Sequence, residues 1–274
     1  MEDFKGGSAA VQSIRFAGDH FTAFLKLTAT WAAISTAIVL AFCFIAHPAG
    51  PDASLGAQLD ALDAMKGRVK QAVTLLPDIF GTIAVGVSWI KFVLLDEEPR
   101  NPLRLTGEMG TYFVRSIQIG FLSALAALPG IIVAIALGSA LGKPWGYVGA
   151  AIGGLAAVAC FLVVYARLLI VLPSVAVSED IKVGDAFGLT KQRYVAVTLG
   201  LFLSYLIPFA GLIAVIFVLG MLSTLSHDIG SLLMEAGTNL GTFMMTGIVA
   251  GYTALVYRAF APGDIGNQIA KQFE

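Results

Sequence analysis

Residues 147–172 read YVGAAIGGLAAVACFLVVYARLLIVL, a stretch whose single charge is Arg167. A helix rises about 1.5 Å per residue, so this run is long enough to cross a hydrocarbon core of about 30 Å. In water it would need burial on every side; in a bilayer it is an ordinary spanning helix. The rest of the chain has the same character. Its 274 residues are 57% hydrophobic and 13% charged, with a mean hydropathy of +0.84. Soluble domains carry roughly 25% charged residues, so a water-facing surface cannot be built from this supply.

Working outward, apolar stretches of about 20 residues occur at about 24–46, 72–95, 117–138, 147–172, 195–223 and 240–260. They predict an all-α, polytopic transmembrane helical bundle forming a single domain over residues 1–274. Residues 1–23 are read as an interfacial helix and 261–274 as a tail. The first span exceeds the 7–15 residues of a secretory signal core. It also follows a long, partly acidic leader without a small-residue cleavage site, so it is read as a span.

Lys and Arg fix the expected orientation. With the N-terminus inside, 13 of the 17 cations fall on the cytoplasmic side, and Lys66, Arg68, Lys70 and Lys143 on the other. Both termini are therefore expected in the cytoplasm. The longest outer loop, 47–71, carries Leu59, Leu62, Met65 and Val69 at helical spacing with charges between them. It predicts an amphipathic helix lying on the outer membrane face or covering the bundle.

A net charge of -1 gives no field for nucleic acid. Cys43 and Cys160 lie in apolar runs, where thiols serve as small packing residues. His20, His47 and His227 are far apart in sequence, so no metal-ligand spacing is visible, and no cofactor is expected. Phosphate-loop, zinc-protease and nucleophile-elbow motifs do not occur, and no catalytic residue is nominated.

Three spans end on the inner side with an aromatic residue near a cation: Trp89 and Lys91, Tyr165 and Arg167, Tyr257 and Arg258. Cations there anchor by snorkelling, or converge with Arg193 as contacts for anionic lipid headgroups. Interfacial segments follow two of these cations: Met109, Tyr112, Phe113, Arg115 and Ile117 after the first, then Ala186, Phe187, Lys191, Arg193 and Tyr194. A third version, Val11 to Phe24, feeds the first span. The pattern suggests three helical-hairpin units of one orientation, two of them with spans broken at Pro129 and Pro208. Those prolines are hinges or, with more weight, static kinks.

Asp78, just after Pro77, is read as a helix cap or a partner of Lys70, with no second carboxylate at its depth. Small-residue pairs at Gly149 and Gly153, Gly237 and Gly241, and Gly247 and Gly251 allow close helix approach, within the bundle rather than between copies. The acidic run Asp96-Glu97-Glu98 is read as a solvated turn.

The stretch Trp89-Ile-Lys-Phe-Val-Leu-Leu-Asp-Glu-Glu-Pro99, then Tyr112-Phe-Val-Arg115, resembles the middle of uncharacterised six-span inner-membrane proteins of bacteria. Tyr165 to Pro173, followed by Gly184-Asp-Ala-Phe-Gly-Leu-Thr190, is similar to the same group. It is also similar to the membrane domain preceding some bacterial glycerophosphodiester phosphodiesterases. The resemblance implies the fold and a bacterial inner membrane as the location. It implies no hydrolase activity, because the catalytic barrel of those enzymes is a separate soluble part for which no segment here has room.

The sequence thus predicts a non-enzymatic membrane protein, an accessory, scaffold or lipid-contacting bundle whose partners are membrane lipids and other membrane proteins. The alternative is a small-molecule or lipid transporter with the third and fifth spans as moving walls. A polar cavity at membrane depth favours transport, and a dry bundle favours scaffolding. The expected orientation has a direct check: a C-terminal fusion to green fluorescent protein will fluoresce, and one to alkaline phosphatase will be inactive. The reverse pattern overturns it.

Overall fold

The computed structural model describes residues 4–64, 68–99, 101–104, 106–179, 181–222 and 226–261. Met65, Lys66, Arg100 and the tail from Pro262 onward lie outside them. Most of the described residues are helical, with no strand among them. In chain order the elements are α1 (Gly6–Asp19), α2 (Phe21–Ala46), α3 (Leu55–Ala64), α4 (Arg68–Leu95) and α5 (Gly107–Ala140). They continue with α6 (Trp145–Leu168), α7 (Val171–Ala176), α8 (Val183–Leu189), α9 (Tyr194–Leu222) and α10 (His227–Phe260). Among the described residues, six segments are long and apolar enough to cross a membrane: Phe21–Ala46, Val69–Leu95, Gly107–Ala140, Trp145–Ala176, Tyr194–Met221 and His227–Phe260. The chain is an all-α, multi-pass membrane protein.

Three sequence expectations change. The third span begins at Gly107, so Met109 to Ile117 form the first turns of α5 and not a separate surface helix. The interfacial pieces of the three hairpin units therefore differ: a 14-residue α1, a seven-residue α8, and none before α5. Second, α5 and α9 run unbroken through Pro129 and Pro208. A full break in lipid would strand several backbone groups, whereas an interior proline withholds one hydrogen bond. Third, the last span starts at His227, thirteen residues before Leu240.

Contacts cluster into two compact units. The first comprises the start of α1, α5 to α8, the N-terminal part of α9 and the C-terminal end of α10. Its centre is the α5–α6 hairpin, where side chains almost vanish at the contact. Gly130 of α5 faces the backbone of Ala157, and Gly153 of α6 faces the backbone of Ala134. Further along, Gly146 meets Gly138, and Gly149 meets Leu137. Between helices in lipid no hydrophobic effect drives association, so this close van der Waals approach supplies the attraction. The α7 turn is buried throughout. Tyr252 of α10 donates its hydroxyl to the Val197 carbonyl of α9 at 2.6 Å.

The second unit comprises the rest of α1, α2 to α4, the remainder of α9 and α10 as far as Gly251. Phe16, Phe24, Trp89 and Phe92 make an aromatic cluster with ring centroids 4.7–5.6 Å apart. Glycines admit bulky neighbours here too: Gly81 faces Phe243, Gly247 faces Phe24, and Gly237 and Gly241 face Leu219 and Leu212. The outer loop forms α3, which covers the helices, because Leu59 and Leu62 are buried with Val39 and Cys43 of α2.

The hairpin contact yields an internally controlled test. A Gly153→Ala methyl collides with the Ala134 backbone, whereas Gly154 has open space. Gly153→Ala will lose about 1–3 kcal/mol through overpacking. Gly154→Ala will be neutral or gain up to about 1 kcal/mol in helix propensity. Unfolding midpoints in detergent check the order.

Candidate functional site

The four cations named as headgroup contacts have different surroundings. Arg167, in the last turn of α6, is turned onto α8. Its Nη2 donates to the Phe187 carbonyl at 2.5 Å and its Nε to Thr190 Oγ1 at 3.3 Å. The guanidinium also lies 4.5 Å from the Phe187 ring centroid. A planar fork that stacks and donates at once is the particular capacity of arginine, and here it clamps α8 against α6. Arg193 is exposed just before α9, and Arg258 is half-buried near the end of α10. Both lie in the first unit with Arg167, while half-buried Lys91 belongs to the second. Asp96, Glu97 and Glu98 are exposed, as a solvated turn requires.

The most developed polar arrangement lies in the second unit and centres on Glu235, which the sequence reading assigned to a loop. The extended α10 places Glu235 eight residues inside the helix, about 12 Å from its start. Asp78 lies ten residues inside α4, about 15 Å from its start. A second carboxylate therefore lies within a long apolar helix, at a similar distance from its helix start. Asp78 is also not a cap, since Pro77 is interior to α4. Its Oδ1 accepts the Ser35 hydroxyl of α2 at 2.8 Å.

Glu235 is 8% exposed. A carboxylate so placed is strongly penalised unless both oxygens find donors. They do. Lys70 Nζ of α4 lies 2.6 Å from Oε2, and the Asn239 amide donates to Oε1 at 3.2 Å. Asn239 in turn donates to Thr36 Oγ1 of α2 at 3.0 Å, which fixes the carboxylate's position. Lys70 has a second partner, Asp63 Oδ1 of α3, at 2.8 Å, and so ties α3 to α10. Two further contacts hold α3 in place. His227 Nε2 is 3.2 Å from Asp60 Oδ2, and the Gly56 amide donates to Asp228 Oδ1 at 2.6 Å.

These groups surround a cleft of about 310 Å³. Leu59, Asp60 and Asp63 line it from α3, Lys70 from α4, and Met234 and Glu235 from α10. A larger depression of about 540 Å³ opens near the α1–α2 junction, beside Asp19, Asp96 and Glu98. Those acids are exposed. The smaller cleft alone of these two is lined by a buried charge. Its signal in the sequence was the polar series Ser231, Glu235, Thr238 and Thr242, spaced at i, i+4, i+7 and i+11 along one helical face.

The Lys70–Glu235 pair is open to a double-mutant cycle. Lys70→Met and Glu235→Gln will each lower stability, and the cycle will return a coupling of about 0.5–3 kcal/mol. Chemical unfolding of the purified protein measures it, and zero coupling would remove the pair from the energetics.

No protein-family model, curated protein or solved structure matches the chain, so the chemistry of this cleft carries the functional argument.

Proposed function

We propose that the protein is a non-enzymatic, multi-pass component of a bacterial inner membrane, with both termini cytoplasmic, that binds a small polar ligand in the α3–α4–α10 cleft. The observation that carries this reading is Glu235, a buried carboxylate on a spanning helix that borders an open polar cavity. Ionisable groups inside spans are rare and mark ligand or ion sites. Of the functions the sequence left in competition, a cleft at the starts of α4 and α10 suits ligand binding better than a dry scaffold. The walls it would use differ from those expected, because the cleft is lined by α3, α4 and α10, not by the proline-bearing α5 and α9.

Lipid contact accompanies this reading. In the α9 and α5 spans only 11% and 22% of the apolar window is buried, against 67% in α10, and apolar surface of that kind suits acyl chains. Lys91, Arg193 and Arg258 keep their place as candidate headgroup anchors at the cytoplasmic boundary. Arg167, bonded to α8, stays with them in the proposed set. The resemblance to the membrane domain of glycerophosphodiester phosphodiesterases fits this assignment and adds no activity.

Water access to the cleft tests the proposal. In a background lacking Cys43 and Cys160, Ser231→Cys and Thr238→Cys will react with a membrane-impermeant thiol reagent added on the side opposite the termini. Ser123→Cys, buried in α5, will not react. Protection of both cleft cysteines from reagent on either side would mean a closed, structural network and overturn the reading.

A further inference from the structure

The contents of the cleft specify the ligand class, given the reading that it binds a ligand at all. We propose that it receives a primary ammonium group, seated between Glu235 and Asp63 where the Lys70 ammonium now sits. The protein's own side chain supplies the template. Lys70 Nζ is 2.6 Å from Glu235 and 2.8 Å from Asp63, which is the spacing of charge-assisted bonds between an ammonium and carboxylates. Glu235 is held in advance by Asn239, and Asn239 by Thr36. An incoming ammonium therefore meets an oriented carboxylate and not a mobile one.

Lys70 is suited to yield that place. Its side chain is 29% exposed and its second partner, Asp63, is 61% exposed, so the flexible four-carbon stem can swing towards water. Sign selection follows from the lining. Asp60, Asp63 and Glu235 stand against Lys70 and His227, so carboxylates outnumber cations however His227 is counted. A second cation is accepted, and an anion is repelled. Size selection follows from the volume. At about 310 Å³ the cleft sits at the bottom of the roughly 300–1,000 Å³ range of ligand pockets, enough for a few heavy atoms. Leu59 and Met234 give that space an apolar side for a short hydrocarbon part.

Position allows two sources for the group. Lys70 is the third residue of α4 and His227 the first of α10, so the cleft lies near the ends of two spans, where water and lipid headgroups meet. The shared chemistry is a primary ammonium on a short alkyl arm. It belongs either to a free small amine or to the headgroup of an ethanolamine lipid.

The full chain in nanodiscs of phosphatidylglycerol, titrated with butylamine, ethanolamine, butyrate and butanol at constant ionic strength, distinguishes the classes. Calorimetry and unfolding midpoints are the readouts. The two amines will bind and raise the midpoint, and butyrate and butanol will not. Glu235→Gln will weaken amine binding. Lys70→Met will tighten it, by about tenfold if the internal ammonium fills the site nine-tenths of the time. A merely structural ion pair differs in its response to ligand: the lowered midpoint of Lys70→Met is then not rescued by amines. In nanodiscs containing phosphatidylethanolamine, a headgroup ligand will raise the midpoint without added amine and abolish the response to ethanolamine, whereas a free-amine site will respond as before.

Binding of butyrate in place of the amines would overturn the ammonium assignment and leave the cleft reading standing. Absence of amine binding to the folded wild-type protein in both lipids would also overturn the assignment, whether or not Lys70→Met folds. Cleft cysteines closed to reagent would instead remove the reading on which it rests.

Discussion

A carboxylate inside a membrane-spanning helix is tolerable only where its oxygens are matched, and much of the second unit is arranged around that requirement at Glu235. Without Lys70 on one oxygen and Asn239 on the other, the favourable course would be to end α10 near Leu240 and leave the acid in a polar loop. With them, α10 runs as one helix of 34 residues. Its extra turns bring His227 and Asp228 to α3, where they bond Asp60 and the Gly56 amide. The cover over the cleft thus depends on the pairing beneath it, because the helix start that anchors α3 exists only if the helix continues past Glu235.

The first unit answers the bilayer's other demand, attraction between helices already surrounded by apolar solvent. Large side chains would meet lipid tails as readily as each other. Backbones brought together at Gly130, Gly153, Gly146 and Gly138 gain contacts that lipid cannot reproduce. The small residues cluster on the α5–α6 contact, while Phe121, Ile132, Ile135 and Leu155 of the same helices stay exposed. The division of labour is clear: glycine and alanine hold the hairpin, and the bulky residues face outward.

Hydropathy made the six spans legible, because the bilayer's thickness imposes a length that an apolar run either meets or fails. The glycine pairs were legible too, and they pack within the chain as their spacing suggested. The start of α10 was not legible. A window average registers Glu235 and Asn239 as two penalties, whereas the folded chain pairs them with each other and with α2 and α4. Residue counting likewise treats Met109 to Ile117 as an interfacial patch, although no breaker separates them from the span that follows. Hydropathy scores each residue against solvent; the missed elements are those whose polar groups have chosen one another.

The same distinction separates Arg167 from Lys70. Each is a cation near the end of a helix, but the sequence gives only Arg167 the role of an anchor and places Lys70 in the outer loop as a partner for Asp78. Arg167 meets neutral partners, two oxygens and an aromatic face. Its charge is solvated by groups that carry no opposite charge, and the result is a rigid clamp on α8. Lys70 meets two carboxylates from two helices, in a cleft where acids remain in excess. A clamp whose partners are dipoles has nothing to exchange, because a competing ion would gain little from them. A bridge between carboxylates can be replaced by any ion of like charge that fits, and this exchangeability makes the Lys70 site, rather than the more conspicuous arginine, the place where a ligand can act.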